Sequence, residues 1–195
     1  FPEGERLVFM DDDTMKMWEW HHGTTAAKST RQMQCLGRYL TDAFQTLEAG
    51  HAKAFHMYCM PNAFYKKGKP FKEVRPHLLG GDFWGGFNDR SMMKPSHAHE
   101  DDRMRSARYA ERDGGILVYN WVGQKGGVQL SGGMQAGDRG TAAQRIENTR
   151  RICMDLYATE PLYRKYHIEP YLKKKMDYYT TRMKSAPQIQ KIRPF

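Results

Sequence analysis

Apolar positions recur at helical spacing most clearly in one stretch. Met33, Leu36, Leu40, Phe44 and Leu47 follow Thr24 or Thr25, either a suitable N-cap, and the pattern stops at Gly50. A helix is predicted there. A second stripe, Leu172, Met176, Tyr179 and Met183, follows Pro170 and leaves Lys173, Lys174, Lys175 and Arg182 on other faces. Further helices are predicted over about 99–112, closed by Gly114 and Gly115, and after Thr141, where Ile146, Cys153, Leu156 and Tyr157 share a face. Pro161 suits the first turn of another. Residues 51–60 read as a helical continuation that Pro61 ends.

The remaining pattern is broken or extended. Residues 1–23 show no sustained period and read as an extended acidic, aromatic arm. Residues 61–98 carry Gly and Pro too densely for regular elements and read as a long irregular connector. Ile116 to Val122 is β-branched and aromatic between glycines, which predicts a strand that must pair with the N-terminal arm or a neighbouring chain. Residues 123–140 hold seven glycines and read as a flexible loop. The expected fold is mainly α: a small helical body over 24–184 with one or two short strands, an N-terminal arm over 1–23 and an extended tail over 185–195.

Length and composition fit one soluble domain, and no apolar run approaches the roughly 20 residues of a membrane span. The apolar share of 39% is low for a self-contained globule, so part of the chain is expected to gain burial from a partner. The net charge of +9 favours anionic surroundings: RNA, acidic headgroups or acidic subunits. That charge is uneven. Residues 1–23 hold two basic and six acidic side chains, whereas residues 161–195 hold nine basic and two acidic.

Candidate chemistry is sparse. Cys35, Cys59 and Cys153 are odd in number and widely spaced, which indicates neither a disulfide framework nor a zinc knuckle and fits a reducing compartment. The sharpest cluster is SHAHEDD, with His97, His99, Asp101 and Asp102. Its His-x-His-x-Asp resembles the metal motif of the metallo-β-lactamase fold, which implies metal-dependent hydrolysis. The final His of that motif is Asp102 here, and only His167 follows as a further imidazole. The bland alternative is a helix start favoured by its two carboxylates. His21 with His22, and His51 with His56, are weaker candidates, and the second pair, five apart and so divergent on a helix, reads as structural. The glycine-rich stretch lacks both phosphate-loop patterns, so no nucleotide site, and no cofactor of any kind, is expected.

The basic, tyrosine-rich C-terminal region suits RNA, anionic headgroups or an acidic subunit equally. The candidate partner-binding residues are Trp18 and Trp20 on the arm and Arg164, Lys165, Lys173, Lys174, Lys175, Arg182 and Lys184 in the C-terminal region. RRICMDLY and HIEPYLKKKM together resemble the C-terminal part of a small matrix-facing subunit of the cytochrome bc1 complex. PLYRKY is similar to short segments of helical complex I accessory subunits. Both resemblances imply a structural role at the inner mitochondrial membrane, and the opening Phe1 in place of Met leads to the expectation of a cleaved import signal.

The expected function is therefore that of a non-catalytic accessory subunit of a large mitochondrial inner-membrane assembly, a respiratory-chain complex or ATP synthase. It would lie on the matrix side with protein subunits, and possible lipid headgroups, as partners. A mitochondrial ribosomal RNA-binding protein is the second expectation, and a metal-dependent hydrolase the third.

Overall fold

The computed structural model describes residues 1–10, 16–20, 30–57, 70–79, 83–92, 101–125, 142–166 and 190–192. In chain order its elements are β1 (Arg6–Met10), β2 (Lys16–Trp20), β3 (Thr30–Gln32), α1 (Leu36–Glu48), β4 (Ala54–Met57), β5 (Lys72–Arg75) and β6 (Phe83–Phe87). Then come α2 (Asp101–Asp113), β7 (Ile116–Tyr119), β8 (Val122–Lys125), α3 (Ala142–Thr159), α4 (Pro161–Tyr166) and β9 (Gln190–Ile192). This is an α/β fold and not the mainly helical one expected.

A six-stranded mixed sheet runs in the order β1-β6-β4-β7-β5-β9. Only β4 and β7 are parallel; every other neighbouring pair is antiparallel. A second sheet, β3-β2-β8, is antiparallel throughout.

Both faces of the central strands of the large sheet are covered. On one face, Tyr39, Ala43, Phe44 and Leu47 of α1 pack on Phe55, Met57, Val74, Phe83, Leu117 and Tyr119. On the other, Tyr109 of α2 joins Ala54, Trp84, Ile116 and Val118. Met104, Leu156 and Tyr163 then tie α2 to α3 and α4. A strand covered on both faces loses the apolar–polar alternation of a half-buried one. β4 is accordingly buried at all four positions, and the helix expected over 51–60 is replaced by this central strand.

The connector expected over 61–98 contains β5 and β6, and the arm expected over 1–23 contains β1 and β2. In β6 the glycines are packing requirements. A Cβ on Gly85 would lie 2.6 Å from the Phe55 ring, and one on Gly86 would lie 2.7 Å from the Lys53 carbonyl oxygen. The strand expected at 116–122 is divided at Asn120 and Trp121. β7 pairs with β4 and β5, and β8 pairs with β2.

Helix ends follow local chemistry where the partners are local. Gly50, at φ +83°, ends α1 and donates its N–H to the Leu47 carbonyl at 3.0 Å. The start expected at Thr24 or Thr25 moves to Leu36, because residues 30–32 are held in β3 against β2. The helix predicted at 99–112 is α2, with Asp101 and Asp102 in its first turn. The helix after Thr141 is α3, and Pro161 opens α4. The stripe following Pro170 lies outside the described residues. No helix among the described residues is long and apolar enough to cross a membrane.

Candidate functional site

Beneath α1, two linked sets of polar side chains run through the core. Lys72, from β5, reaches the Asp42 carboxylate at 2.8 and 2.7 Å and the Thr46 hydroxyl at 3.0 Å. The Tyr119 hydroxyl donates to the same carboxylate. Farther along the helix, the Tyr39 hydroxyl donates to Glu19 Oε2 at 2.5 Å, and Arg31 Nε donates to Glu19 Oε1 at 2.5 Å. The rings of Tyr39 and Tyr119 meet edge to face, 6.3 Å between centroids, and join the two sets.

Burial, and then hydrogen bonding to Glu19, pushes the Tyr39 phenol well above its ordinary pKa; burial and Asp42 do the same for Tyr119. Each charge has an opposite charge and each phenol an acceptor. With both phenols raised, the arrangement poises neither for proton transfer near neutral pH.

The opposite face of the sheet carries a second cluster. Arg75 Nε donates to Glu73 Oε1 at 2.9 Å, and Asn120 Nδ2 donates to the same oxygen at 3.2 Å. Arg75 Nη1 lies 2.7 Å from His77 Nδ1. A guanidinium only donates, so Nδ1 accepts and the His77 proton sits on Nε2. The ring of His56 lies 5.2 Å from that of His77. Burial first, and the Arg75 charge second, lower the His56 pKa to about 3, so the ring is neutral in the folded protein.

The third region is open to solvent. β1 is the last strand of the large sheet, and Val8 and Met10 are its exposed apolar side chains, at 43% and 61%. Met10 also lines a groove of about 360 Å³ with Met17, Met33 and Leu36, whose polar wall is Lys16, Gln32 and Gln34. Thioether side chains adapt their shape to what they contact, so such a groove accepts varied apolar groups.

The sequence-derived candidates are dispersed by the fold. Trp18 is partly buried against the main core, and Trp20 lies on β2. Arg164 closes the end of α3, donating to the carbonyls of Tyr157 and Ala158 at 2.9 Å each. Lys165 pairs with Glu111 at 2.6 Å. Lys173, Lys174, Lys175, Arg182 and Lys184 lie outside the described residues, as do His97, His99, His21, His22 and Cys59.

Of the other candidates, Asp101 pairs with Arg105 inside α2, His51 is exposed and His56 is buried on β4. Cys35 is exposed, whereas Cys153 is buried with its sulfur 2.7 Å from Arg103 Nη1. Among the described residues, no group of three or more His, Cys, Asp or Glu side chains is placed to hold a metal ion.

The polar core clusters escaped sequence reasoning because KEVR reads as a solvated segment. The β1 edge left one signal, the β-favouring run RLVFM inside an otherwise acidic stretch. Comparison with known proteins finds no matching family, no matching curated protein and no matching solved structure.

Proposed function

We propose that this chain is a non-catalytic accessory subunit of a large mitochondrial inner-membrane assembly, a respiratory-chain complex or ATP synthase, lying peripheral to the membrane on its matrix side. The observation that supports this most is the β1 edge. A strand with no partner on its outer side among the described residues, and with exposed Val8 and Met10, is a surface that folded proteins ordinarily cover, and a neighbouring subunit is one cover. The polar clusters described above also suit scaffolding, since their charges are spent on one another within the fold. A pI near 9.5 fits the anionic lipid surface of such a membrane.

Native-gel separation of detergent-solubilised mitochondria, with mass spectrometry of each band, tests the reading. The chain is expected in a band with respiratory-complex or ATP synthase subunits. Migration as a free chain, or co-sedimentation with ribosomes that nuclease treatment abolishes, overturns it. Stoichiometric zinc in the purified protein, lost on His97→Ala, would move it to the hydrolase class.

A further inference from the structure

The groove lined by Met10, Met17 and Met33 gathers soft donor atoms from three strands. β2 and β3 run antiparallel with Trp18 opposite Gln32, and the Met33 N–H donates to the Met17 carbonyl at 3.0 Å. That bond carries the pairing one residue past β3 and sets Met17 opposite Met33. Side chains directly opposite in an antiparallel pair stand on the same side, about 5 Å apart at Cβ. Both methionines pack in part against the main core, which holds their stems, and Met10 reaches the same groove from the end of β1. Leu36, the first residue of α1, completes the apolar lining.

The other lining residues decide what kind of ligand suits these thioethers. They are Lys16, Gln32 and Gln34, so no carboxylate, imidazole or thiol lines the groove among the described residues. Gln34 turns its amide onto the Gln32 carbonyl at 3.3 Å. The acid on β2, Glu19, is committed to Tyr39 and Arg31. Calcium and magnesium need several oxygen ligands, and zinc needs thiolate, imidazole or carboxylate, so none of them has its donor set here. Thioether sulfur is a neutral, soft donor that suits Cu(I). The Lys16 ammonium narrows the choice further, because it repels a divalent ion twice as strongly as a monovalent one at the same distance. Three rotatable bonds let each methionine turn its sulfur to a common point without moving the strands.

We propose that this groove binds one soft monovalent cation, Cu(I), through the sulfurs of Met10, Met17 and Met33. The site goes beyond the accessory-subunit reading and does not rest on it. Binding changes no oxidation state and releases no proton, since a thioether carries none. Affinity should therefore hold from about pH 7.5 to about pH 5.5, where a site of thiolates or imidazoles loses metal to protons.

NMR of the full chain with methyl-labelled methionine tests it, the accessible thiols being alkylated first and Ag(I) serving as the air-stable soft probe. The signals of Met10, Met17 and Met33, assigned by single Met→Leu substitutions, are expected to shift together and saturate at one equivalent. Zn(II) should move none of the three. Competition with a chromophoric Cu(I) chelator under anaerobic conditions then reads affinity. Met10→Leu, Met17→Leu and Met33→Leu should each weaken binding at least about tenfold, the lower end of what even outer-shell changes cost at metal sites. Met92→Leu, in the core on the other face of the large sheet, should leave it unchanged. Leucine nearly keeps the volume of methionine, and an unaltered remainder of the methyl spectrum shows that each variant is folded.

Shifts spread over the methionines without these three moving together overturn the proposal. So does affinity that ignores the three groove substitutions, that falls over the stated pH interval, or that is matched by Zn(II). Binding of Ag(I) seen only before alkylation assigns the ion to cysteine and overturns it as well.

Discussion

Replacing Asp42 with Ala tests the physical account of the core most directly. The side chain of Lys72 is 5% exposed and that of Asp42 15%, with two contacts under 3 Å between them. Removing one member of a buried ion pair costs about 3–5 kcal/mol, because the remaining charge keeps its desolvation penalty and loses its compensation. The partial exposure of Asp42 places the expected loss near the lower end, about 3 kcal/mol. Tyr119→Phe removes one donor and leaves the ion pair intact, so it should cost only about 1 kcal/mol.

The double variant Asp42→Ala with Lys72→Met separates pair loss from general damage. Its destabilisation should fall short of the sum of the two single changes by about 2 kcal/mol, since Met fills the space of the lysine stem without its charge. Urea unfolding followed by tryptophan fluorescence reads all four proteins, and an unchanged denaturant slope would show that the unfolded state is not the cause. A loss below about 1 kcal/mol for Asp42→Ala, or strict additivity in the cycle, would refute the reasoning.

Other substitutions probe the opposite face and the backbone. His56 has a folded pKa of about 3 against an ordinary 6.5, so the unfolded chain binds the extra proton between those values. The associated stability is complete above about pH 6.5 and is lost as pH falls; about 2 kcal/mol should go between pH 7.5 and pH 5, and His56→Phe should flatten that part of the profile. Chemical denaturation across pH checks this, and an unchanged slope in the variant would exclude His56 as its source. Gly114 and Gly115 both have positive φ, at +75° and +148°, but a Cβ on Gly114 meets open space, whereas one on Gly115 lies 2.2 Å from the Arg75 carbonyl carbon. Gly114→Ala should cost about 1 kcal/mol and Gly115→Ala more than about 3 kcal/mol, measured as the difference between their thermal midpoints. Arg164→Ala should cost about 1 kcal/mol by exposing the last carbonyls of α3, and Arg164→Lys should recover only part of it, read by helical circular dichroism on heating.

Elements governed by their own sequence were legible. The polar helix with two leading carboxylates became α2, the glycine after Leu47 became the left-handed stop of α1, and proline opened α4. β-Strands depend on partners distant in sequence, and there the reading failed. Lys72 and Glu73 make KEVR look solvated, yet both are buried because Asp42 lies across the core and Arg75 lies on the same strand face. Phe-Trp-Gly-Gly-Phe looks like a turn until Phe55 and Lys53 are placed against its glycines. HAKAFHMYCM looks helical because a strand covered on both faces shows no alternation to betray it.

The same dependence on distant partners explains why the exposed β1 edge was only half visible. The acidic, apolar character of the first residues already suggested an arm that needs a neighbour, and the tryptophans were assigned as its anchors. In the fold, Trp18 faces inward to the main core, and the exposed apolar side chains are Val8 and Met10 on the preceding strand. The difference follows from register. β1 is held by β6 through Leu7 and Phe9, which commits alternate main-chain groups inward and leaves those of Arg6, Val8 and Met10 outward. A single-residue slip would exchange the two sets and take Phe9 off the Trp84 ring it stacks on at 4.1 Å, so any substitution that shifts β1 on β6 should change tryptophan fluorescence even when every side chain at the edge is retained.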